Sequence, residues 1–537
     1  MPKTKRPKNI GAHFDHFAGK PGPIWHLDRP FDIAPDAGRA YDSTSLAHLV
    51  QDMSGRLYAA GLRRGDRLAI IKHNHMDVVL LAAAAARIGG LPAMITSTFA
   101  PDTLGKMMER LEPKVIVASD DVLAAAHEQG VQLAGPGTRV LAVEGELLSG
   151  DATRLADLAG SDIPAPDLRP DSEPMLLTHT SGTTGIPKFV MHSADTIGVY
   201  GVMETIRIPF LSTRPDDTVA SCIAFVHSRA VTWVMAQSVL IPSKVVVLGG
   251  SDPDVVVETL GRNRPTTLEA CPNIFQRWEH LPKAHPELFS DVRMFVSTFD
   301  AIHPSTIRTF METSRRRRPV WAQSWGQSEI GPATLAQYPK RKVMRKRSDD
   351  HGTFTRNVGR PVPFVTKIKV VDPETRRPVS RGKSGLVLIN GKGRCLGYLG
   401  EPERYNEKVW DGWWNTGDIG VHRWDGTVDI LDREVDVIPG TSGIELESLL
   451  LERLEDASEV IVLGNPNGLP VPIISTHSGT LDRDAWKRAT AGLIALDEPR
   501  IIDWDDFPRT GTWKVRRFDL REKVLQSSET FGSGRWT

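Results

Sequence analysis

The stretch that decides the fold is Thr178-His179-Thr180-Ser181-Gly182-Thr183-Thr184-Gly185-Ile186-Pro187-Lys188. Apolar residues lie on both sides of it, at 175–177 and 189–190, so the pattern predicts a loop between two strands. Residues 180–185 are all Thr, Ser or Gly, and their hydroxyl and backbone N–H groups can surround a polyphosphate. A cluster of this kind is most often an ordinary polar turn, but the lysine that closes it adds a charge attractive to phosphate.

This loop differs from the Walker A loop, in which Gly-Lys-Ser/Thr runs directly into a helix. Here Pro187 stands immediately before Lys188 and biases Ile186 away from helical conformation. A P-loop kinase or ATPase is therefore disfavoured. A serine hydrolase is disfavoured as well, because the sequence has no Gly-x-Ser-x-Gly elbow.

Further motifs follow the loop in a fixed order. They are Trp325-Gly326-Gln327-Ser328-Glu329, Thr416-Gly417-Asp418, Asp432-Arg433 and Pro508-Arg509-Thr510-Gly511-Thr512-Trp513-Lys514. With the phosphate loop they resemble the motifs of the adenylate-forming (ANL) superfamily, which comprises acyl-CoA synthetases, luciferases and peptide-synthetase adenylation domains. The resemblance covers most of the chain, and five motifs in the family's order are a far stronger signal than any one of them.

The resemblance implies an α/β fold in two parts. A large N-terminal domain, 1–434, would carry mixed and parallel sheets with helices, and a small mobile α+β domain, 435–537, would follow a hinge at Val435. The first half of the chain also alternates between strand and helix patterns, which by itself indicates a largely parallel sheet. The Pro- and Lys-rich residues 1–40 are predicted to wrap a surface.

The resemblance also implies the reaction of an acyl-CoA synthetase. A carboxylate attacks the α-phosphate of ATP, pyrophosphate leaves, and the thiol of coenzyme A (CoA) takes the acyl group from the acyl-AMP. The family pattern assigns catalysis to Lys514 and Glu329, a Mg²⁺ ion to Glu329, and the acyl pocket to His227. It assigns the nucleotide to Thr180, Ser181, Gly182, Thr183, Thr184, Gly185, Lys188, Trp325, Gly326, Ser328, Asp418 and Arg433.

Several positions depart from the family pattern. Phe189 and Trp513 each replace a glycine, and Thr298-Phe299-Asp300-Ala301 stands where Gly-Gly-Ala-Pro is usual. The loop at 439–444 is also short, and in the family this loop helps to form the channel for the CoA thiol. Because the first three changes lie at the nucleotide-binding elements, they suggest that adenylation is impaired and that the enzyme mainly thioesterifies a preformed acyl-adenylate, which a partner adenylating enzyme would supply.

Two alternatives stay open beside this hypothesis. One is an acyl-AMP ligase that delivers to a separate carrier protein, and the other is a non-catalytic family member that binds nucleotide or acyl ligand. The carboxylic acid and the oligomeric state do not follow from the sequence. The departures prompt the suggestion of a natural-product acid.

Composition limits the partners and the compartment. The 537 residues include 66 basic and 66 acidic side chains, a balance that argues against a nucleic-acid partner. The three cysteines lie far apart, which favours a reducing compartment. The basic N-terminus precedes no apolar segment, and the apolar run 78–86 is too short to cross a bilayer. A cytoplasmic protein without a membrane partner is therefore predicted.

Overall fold

A computed structural model describes residues 6–143, 152–180, 186–205, 212–345, 354–510 and 513–527. The chain forms two compact units. The first comprises the described residues of 1–266, 392–406 and 510–512, and the second comprises those of 267–391, 407–509 and 513–537.

The described residues form helices and strands along their whole length. The helices are α1 (Ile10–Phe17), α2 (Ser43–Ala59), α3 (Asp77–Arg87), α4 (Pro101–Leu111), α5 (Asp120–Glu128), α6 (Ala194–Thr205), α7 (Ser228–Leu240), α8 (Pro253–Arg262), α9 (Pro272–Arg277), α10 (Leu281–Ala284), α11 (Pro304–Thr313), α12 (Lys340–Val343), α13 (Pro402–Asn406), α14 (Gly443–Arg453), α15 (Arg483–Thr490) and α16 (Arg517–Leu525). The strands are β1 (Ile24–Leu27), β2 (Ala40–Tyr41), β3 (Arg67–Lys72), β4 (Leu91–Thr96), β5 (Val115–Ala118), β6 (Arg139–Ala142), β7 (Ala152–Arg154), β8 (Pro174–His179), β9 (Phe189–Ser193), β10 (Thr218–Cys222), β11 (Lys244–Val247), β12 (Thr267–Ala270), β13 (Met294–Ser297), β14 (Val320–Gln327), β15 (Gly331–Pro339), β16 (Arg360–Pro361), β17 (Thr366–Val371), β18 (Ser384–Gly391), β19 (Gly397–Tyr398), β20 (Val409–Trp410), β21 (Trp413–His422), β22 (Val428–Arg433), β23 (Ala457–Leu463), β24 (Val471–Thr476) and β25 (Arg500–Ile501).

The first unit is built on a sheet in the order β19-β9-β8-β4-β3-β5-β6-β7. Its strands from β8 to β7 run parallel, and β9 turns back antiparallel to β8. The Ala-rich helix α3 is buried along its whole length, because its small side chains let it pack closely against neighbouring elements. A second group of strands runs in the order β10-β11-β1-β2.

The second unit contains three groups of strands. In the first, β12, β13 and β14 are parallel, and β15 and β16 continue antiparallel. The second is antiparallel and joins β17, β18, β21 and β20, with β22 on β21. The third joins β23, β24 and β25, and helices cover it: Leu446 and Leu450 of α14 pack on one of its cores and Leu520 of α16 on another.

These observations confirm the predicted α/β fold class with mixed and parallel sheets. The boundary at 434/435 stays a prediction. The prediction for 1–40 was incomplete, because Ile24–Leu27 is a strand parallel to β11 and Trp25 is fully buried. Its short length and the prolines on both sides hid it from pattern reading. Over the described residues, no helix is both long and apolar enough to span a membrane.

A buried acidic pair lies where β22 meets α14. Asp432 and Glu447 are both nearly inaccessible. Burial and the neighbouring Glu447 charge raise the pKa of Asp432 to about 8, against the opposing effect of Arg517 and of two backbone N–H groups. Burial raises the pKa of Glu447 to about 7, although Arg517 donates two hydrogen bonds to it, at 2.7 and 2.8 Å. The folded protein therefore holds protons here that the unfolded chain releases near pH 4.

We expect the Asp432→Asn variant to gain stability relative to the parent protein as the pH rises. A carboxyl whose pKa is raised by folding stabilises the protein fully below its unfolded pKa, and this contribution is lost as the pH rises through the folded pKa. Asparagine cannot ionise, so the variant should gain at least about 1.4 kcal/mol over the parent between pH 5.5 and 8.5.

Urea unfolding of both proteins at these two pH values measures the difference in their free energies of unfolding. Buried neutral histidines such as His192 have the opposite pH dependence, but they contribute equally to both proteins and cancel in this difference. Asp484→Asn, on the exposed face of α15, is the matched control and should give a pH-independent difference. Equal differences for both variants at both pH values would contradict the prediction.

Candidate functional site

The Trp325–Glu329 motif lies in the second unit, at the end of β14 and in the turn before β15. The two strands shift register between Trp325 and Gly326, which is a β-bulge. A Cβ atom at Gly326 would lie 2.1 Å from the carbonyl oxygen of Gly331, so only glycine fits this close backbone approach. The bulge leaves Trp325 half-exposed and Glu329 largely buried.

Asp418 and Arg433 are directly paired residues on the neighbouring strands β21 and β22. The Arg433 Nε atom lies 3.5 Å from Asp418 Oδ1. Gly417, just before Asp418, has a φ of +70°, a conformation that favours glycine. The motif glycine thus turns the strand at the point where it presents the buried carboxylate.

Gln327 connects these two motifs. Its side-chain amide donates to the carbonyl oxygen of Thr416 at 2.7 Å and to Asp418 Oδ2 at 3.1 Å. The Trp414 indole N–H in turn donates to Gln327 Oε1 at 3.1 Å. Gln327 occupies the variable position of its motif, so the sequence pattern gave no signal for this role.

The electrostatics bring the motif residues into one cluster. Burial raises the pKa of Asp418, and Arg433, Lys514 and hydrogen bonds from Gln327 and Trp325 oppose this effect. Burial by itself would lower the pKa of Arg433. The pKa is nevertheless raised, because four carboxylates stabilise the charged guanidinium: Asp418, Asp436, Asp300 and Glu329. The cluster therefore holds a charged arginine among carboxylates, an arrangement suited to ribose hydroxyls and phosphate.

Lys514 lies beside Asp300, which belongs to one of the departures from the family pattern. Their Nζ and Oδ1 atoms are 3.3 Å apart. The preceding residue of each partner, Trp513 and Phe299, stands where the family pattern has glycine, and the two have φ angles of +65° and +83°. The backbone thus keeps a left-handed conformation at both positions, at a cost of about 1–2 kcal/mol per residue for side chains other than glycine.

A network around Arg509 holds the segment that carries Lys514. Arg509 Nη2 lies 2.9 Å from Glu459 Oε2 in a buried ion pair, and Arg509 Nη1 donates to the carbonyl oxygen of Trp513 at 3.2 Å. Asn273 donates to the same Glu459 oxygen at 3.0 Å. The Trp504 and Trp513 rings stack at 6.2 Å and 30°. Arg509 lies over the Trp504 ring at 3.9 Å.

We expect Glu459→Gln to lower the free energy of unfolding by about 3 kcal/mol, because it leaves the buried Arg509 without a counter-charge. Urea titration followed by tryptophan fluorescence measures the loss. The control is Asp505→Asn, which removes an exposed ion pair with Arg277 and should cost less than about 1 kcal/mol. Equal losses for the two variants would contradict the prediction.

The phosphate loop belongs to the first unit, where β8 and β9 flank it as predicted. Thr180 N donates to the carbonyl oxygen of Lys188 at 3.0 Å, and Lys188 N donates to Thr180 Oγ1 at 3.2 Å, so these residues close the neck of the loop. Ser181, Gly182, Thr183, Thr184 and Gly185 lie outside the described residues. Phe189, which replaces the glycine at the end of the loop, is fully buried in the core with Leu177.

His227 directly precedes α7 and caps its N-terminus. Its Nδ1 atom accepts a hydrogen bond from the backbone N–H of Arg229 at 3.0 Å. Burial, together with the smaller effects of His192, His179 and Arg229, lowers the pKa of His227 to about 3. His227 is therefore neutral at physiological pH and can take part in an acyl pocket only as a hydrogen-bonding or packing group.

Glu329, the predicted magnesium ligand, has a largely buried carboxylate. Among the described residues, no group of three or more His, Cys, Asp or Glu side chains could hold a metal ion. Magnesium commonly binds one or two carboxylates together with phosphate oxygens and waters, so the buried carboxylate of Glu329 fits that mode.

Val435, the predicted hinge residue, lies in a 3-10 turn over Glu434–Asp436.

The structure thus brings the predicted residues Trp325, Gly326, Ser328, Glu329, Asp418, Arg433 and Lys514 together in one unit and places Thr180, Lys188 and His227 in the other. Their roles stay predictions. Sequence reasoning missed Gln327 as a positioning residue, and it missed the partners Asp300 of Lys514 and Glu459 of Arg509. The sequence offered one signal for the Lys514 partner, namely the carboxylate of Asp300 in the Thr298–Ala301 segment that departs from the family pattern.

Comparison with known proteins adds an independent line of evidence. The family model described as AMP-binding enzyme matches residues 26–399. A 3-amino-2-hydroxy-4-methoxybenzoate diazotase of Streptomyces cremeus is 34% identical over 522 residues, which cover 93% of this chain and 92% of the relative. The 4-coumarate–CoA ligase 3 of Oryza sativa subsp. japonica is 26% identical, with 92% and 89% covered.

A solved structure has the same fold. The crystal structure of an anthranilate CoA ligase in complex with anthranoyl-AMP has a TM-score of 0.79 at 17% identity, and the match covers 97% of this chain and 98% of that one. The motif order, the fold and these similarities agree with one another.

Proposed function

The chain belongs to the AMP-binding enzyme family of the adenylate-forming superfamily, and from this premise we propose that this enzyme activates an acid as its adenylate and passes the activated group to the nitrogen of an aromatic amine. The similarity that carries this proposal is the 34% identity to a diazotase over nearly the whole of both chains, against 26% to a CoA ligase.

Diazotisation suits the chemistry of this family. It joins a second nitrogen atom, at the oxidation level of nitrous acid, to an aromatic amine. Nitrite is an acid anion with oxygen nucleophiles, like a carboxylate. Its oxygen attacks the α-phosphorus of ATP and pyrophosphate leaves, which gives a nitrosyl adenylate. The amine nitrogen then attacks the nitrosyl nitrogen, AMP leaves, and loss of water from the N-nitroso product gives the diazo group.

The second unit offers a side chain for each need of the nucleotide. We assign the adenine to Trp325, which is half-exposed beside the bulge, and the ribose hydroxyls to Asp418, which Gln327 orients. Arg433 and Lys514 supply positive charge for the α-phosphate, and positioned charge provides most of the catalysis in such transfers. Glu329 would hold Mg²⁺, which neutralises the phosphates when it is bound. Ser328 keeps the hydroxyl that the motif usually supplies through threonine.

The first unit keeps the roles predicted from its sequence. Thr180 and Lys188, together with the loop residues between them, are assigned to the phosphates, and His227 to the organic substrate. Thr180 and Lys188 lie next to each other and are joined by the two hydrogen bonds described above, which supports their assignment to one phosphate-binding loop.

CoA thioester formation is the second candidate, and the similarity to 4-coumarate–CoA ligases favours it. An acyl-AMP would then be passed to CoA, or to the thiol of a separate carrier protein. The version with impaired adenylation, fed by a partner enzyme, has less support. Lys514 lies within the electrostatic cluster of Asp418, and the backbone keeps glycine-like φ angles at Phe299 and Trp513. A non-catalytic role is disfavoured for the same reason.

One paired assay distinguishes these functions. Purified protein receives ATP, Mg²⁺ and either ¹⁵N-nitrite with 3-amino-2-hydroxybenzoate or a panel of aromatic acids with CoA, and pyrophosphate and products are followed by mass spectrometry. We expect nitrite-dependent pyrophosphate release and one ¹⁵N atom in the aromatic product. Thioester formation without ¹⁵N incorporation would replace the proposal with the CoA ligase. A third mixture contains synthetic acyl-adenylates and CoA without ATP. Thioester formation in this mixture but not from the free acids would mean that adenylation is impaired.

A further inference from the structure

Asp300 places a carboxylate next to the catalytic lysine, at a position where the family pattern has alanine. It follows the end of β13, three residues after Ser297. Its Oδ1 atom lies 3.3 Å from Lys514 Nζ and accepts a hydrogen bond from Ala301 N at 2.9 Å. About 27% of the Lys514 side chain and 29% of the Asp300 side chain are exposed, so a ligand can reach both.

The surrounding charges show what this carboxylate changes. Besides Lys514, the electrostatic field of Asp300 reaches Arg433, Arg517 and the buried His303. Burial lowers the pKa of His303 to about 4, and the negative charge of Asp300 opposes this shift. His303 Nδ1 hydrogen-bonds to Ser448 at 2.9 Å. Asp300 therefore neutralises part of the positive charge that would otherwise act on an adenylate phosphate alone.

A carboxylate at this place affects the possible acceptors differently. A CoA thiol reacts as the thiolate, and a neighbouring negative charge raises a thiol pKa and repels the thiolate. An aromatic amine reacts as the neutral nitrogen, and its N–H groups donate to a carboxylate. The amine must also lose a proton after it attacks, and a carboxylate within hydrogen-bond reach can take it.

We propose that Asp300 binds the amino group of the acceptor and removes its proton during transfer; this inference rests on the proposed function. The amine nitrogen forms a bond to the electrophilic nitrogen or carbon of the adenylate, and the bond from that atom to the phosphate oxygen breaks. AMP leaves with the electron pair. One proton moves from the amine nitrogen to an Asp300 carboxylate oxygen and from there to solvent.

The test separates the two half-reactions in Asp300→Asn and Asp300→Ala. Acid-dependent pyrophosphate release should fall by no more than about threefold, since Lys514 remains and loses only a neighbouring negative charge. Transfer to 3-amino-2-hydroxybenzoate should fall about 10²-fold, the usual contribution of a general base. Asp505→Asn, an exposed carboxylate of the same unit, is the matched control and should leave both steps unchanged. Equal losses in both steps would overturn the proposal and make Asp300 a positioning residue for Lys514.

A binding measurement keeps the inference falsifiable if the parent protein releases no pyrophosphate with any acid, a result that would count against the proposed function. Calorimetry in the presence of AMP compares 3-amino-2-hydroxybenzoate with 2-hydroxybenzoate, which lacks the amino group. The parent protein should bind the amino compound about tenfold more tightly, the worth of one hydrogen bond to a charged group. Asp300→Ala should abolish this preference. Equal affinities in the parent protein would overturn the assignment of Asp300.

Discussion

Replacing Lys514 with alanine is expected to lower acid-dependent pyrophosphate release by about 10²- to 10³-fold, the usual loss when one preorganised donor to a developing charge is removed. The change removes a positive charge that lies 3.3 Å from Asp300 and also acts electrostatically on Asp418. Stability should change by less than about 1 kcal/mol, because the ion pair is partly exposed.

The measurement is single-turnover pyrophosphate release with saturating ATP, so that a change in the chemical step is separated from a change in binding. Lys523→Ala, on the exposed face of α16, is the control and should match the parent protein. AMP affinity should be nearly unchanged in Lys514→Ala. A variant that releases pyrophosphate at the parent rate would remove Lys514 from the catalytic assignment.

Replacing Asp418 with alanine is expected to weaken AMP binding by about 10²-fold, since two ribose hydroxyls each lose a hydrogen bond to a charged acceptor. Arg433 also loses its paired carboxylate on the neighbouring strand. Asp418→Asn keeps one acceptor oxygen and should lose about tenfold.

Calorimetric titration with AMP measures these losses directly and does not depend on which acid the enzyme uses. The control is Asp425→Ala, in the exposed hairpin between β21 and β22, which should bind AMP like the parent protein. If AMP binds equally well to the parent protein and to Asp418→Ala, the ribose lies elsewhere and the assignment of the nucleotide site in the second unit fails.

The motif residues could be identified from the sequence because each motif has a local physical cause. Gly326 is required by a carbonyl oxygen 2.1 Å from the place of its Cβ atom, and Gly417 by a φ of +70°. The alternation of strands and helices in the first half of the chain was predicted for the same reason, since apolar patterns are properties of neighbouring residues.

Contacts between distant parts of the chain could not be predicted in this way. The Lys514–Asp300 pair, the Arg509–Glu459 pair and the Gln327 hydrogen bonds each depend on how separate elements pack. The strand Ile24–Leu27 was missed because its stability comes from pairing with β11 and not from its own four residues.

The left-handed backbone at Phe299 and Trp513 has a consequence for moving these residues into a related ligase. A large side chain at such a position carries a conformational cost from the moment it arises, so its retention calls for a compensating gain. At Trp513 that gain is the stack on Trp504, and next to Phe299 it is the pairing of Asp300 with Lys514. These residues therefore form one interdependent set. Grafting one of them into a related ligase would import the cost without the gain, whereas moving the set together would carry both.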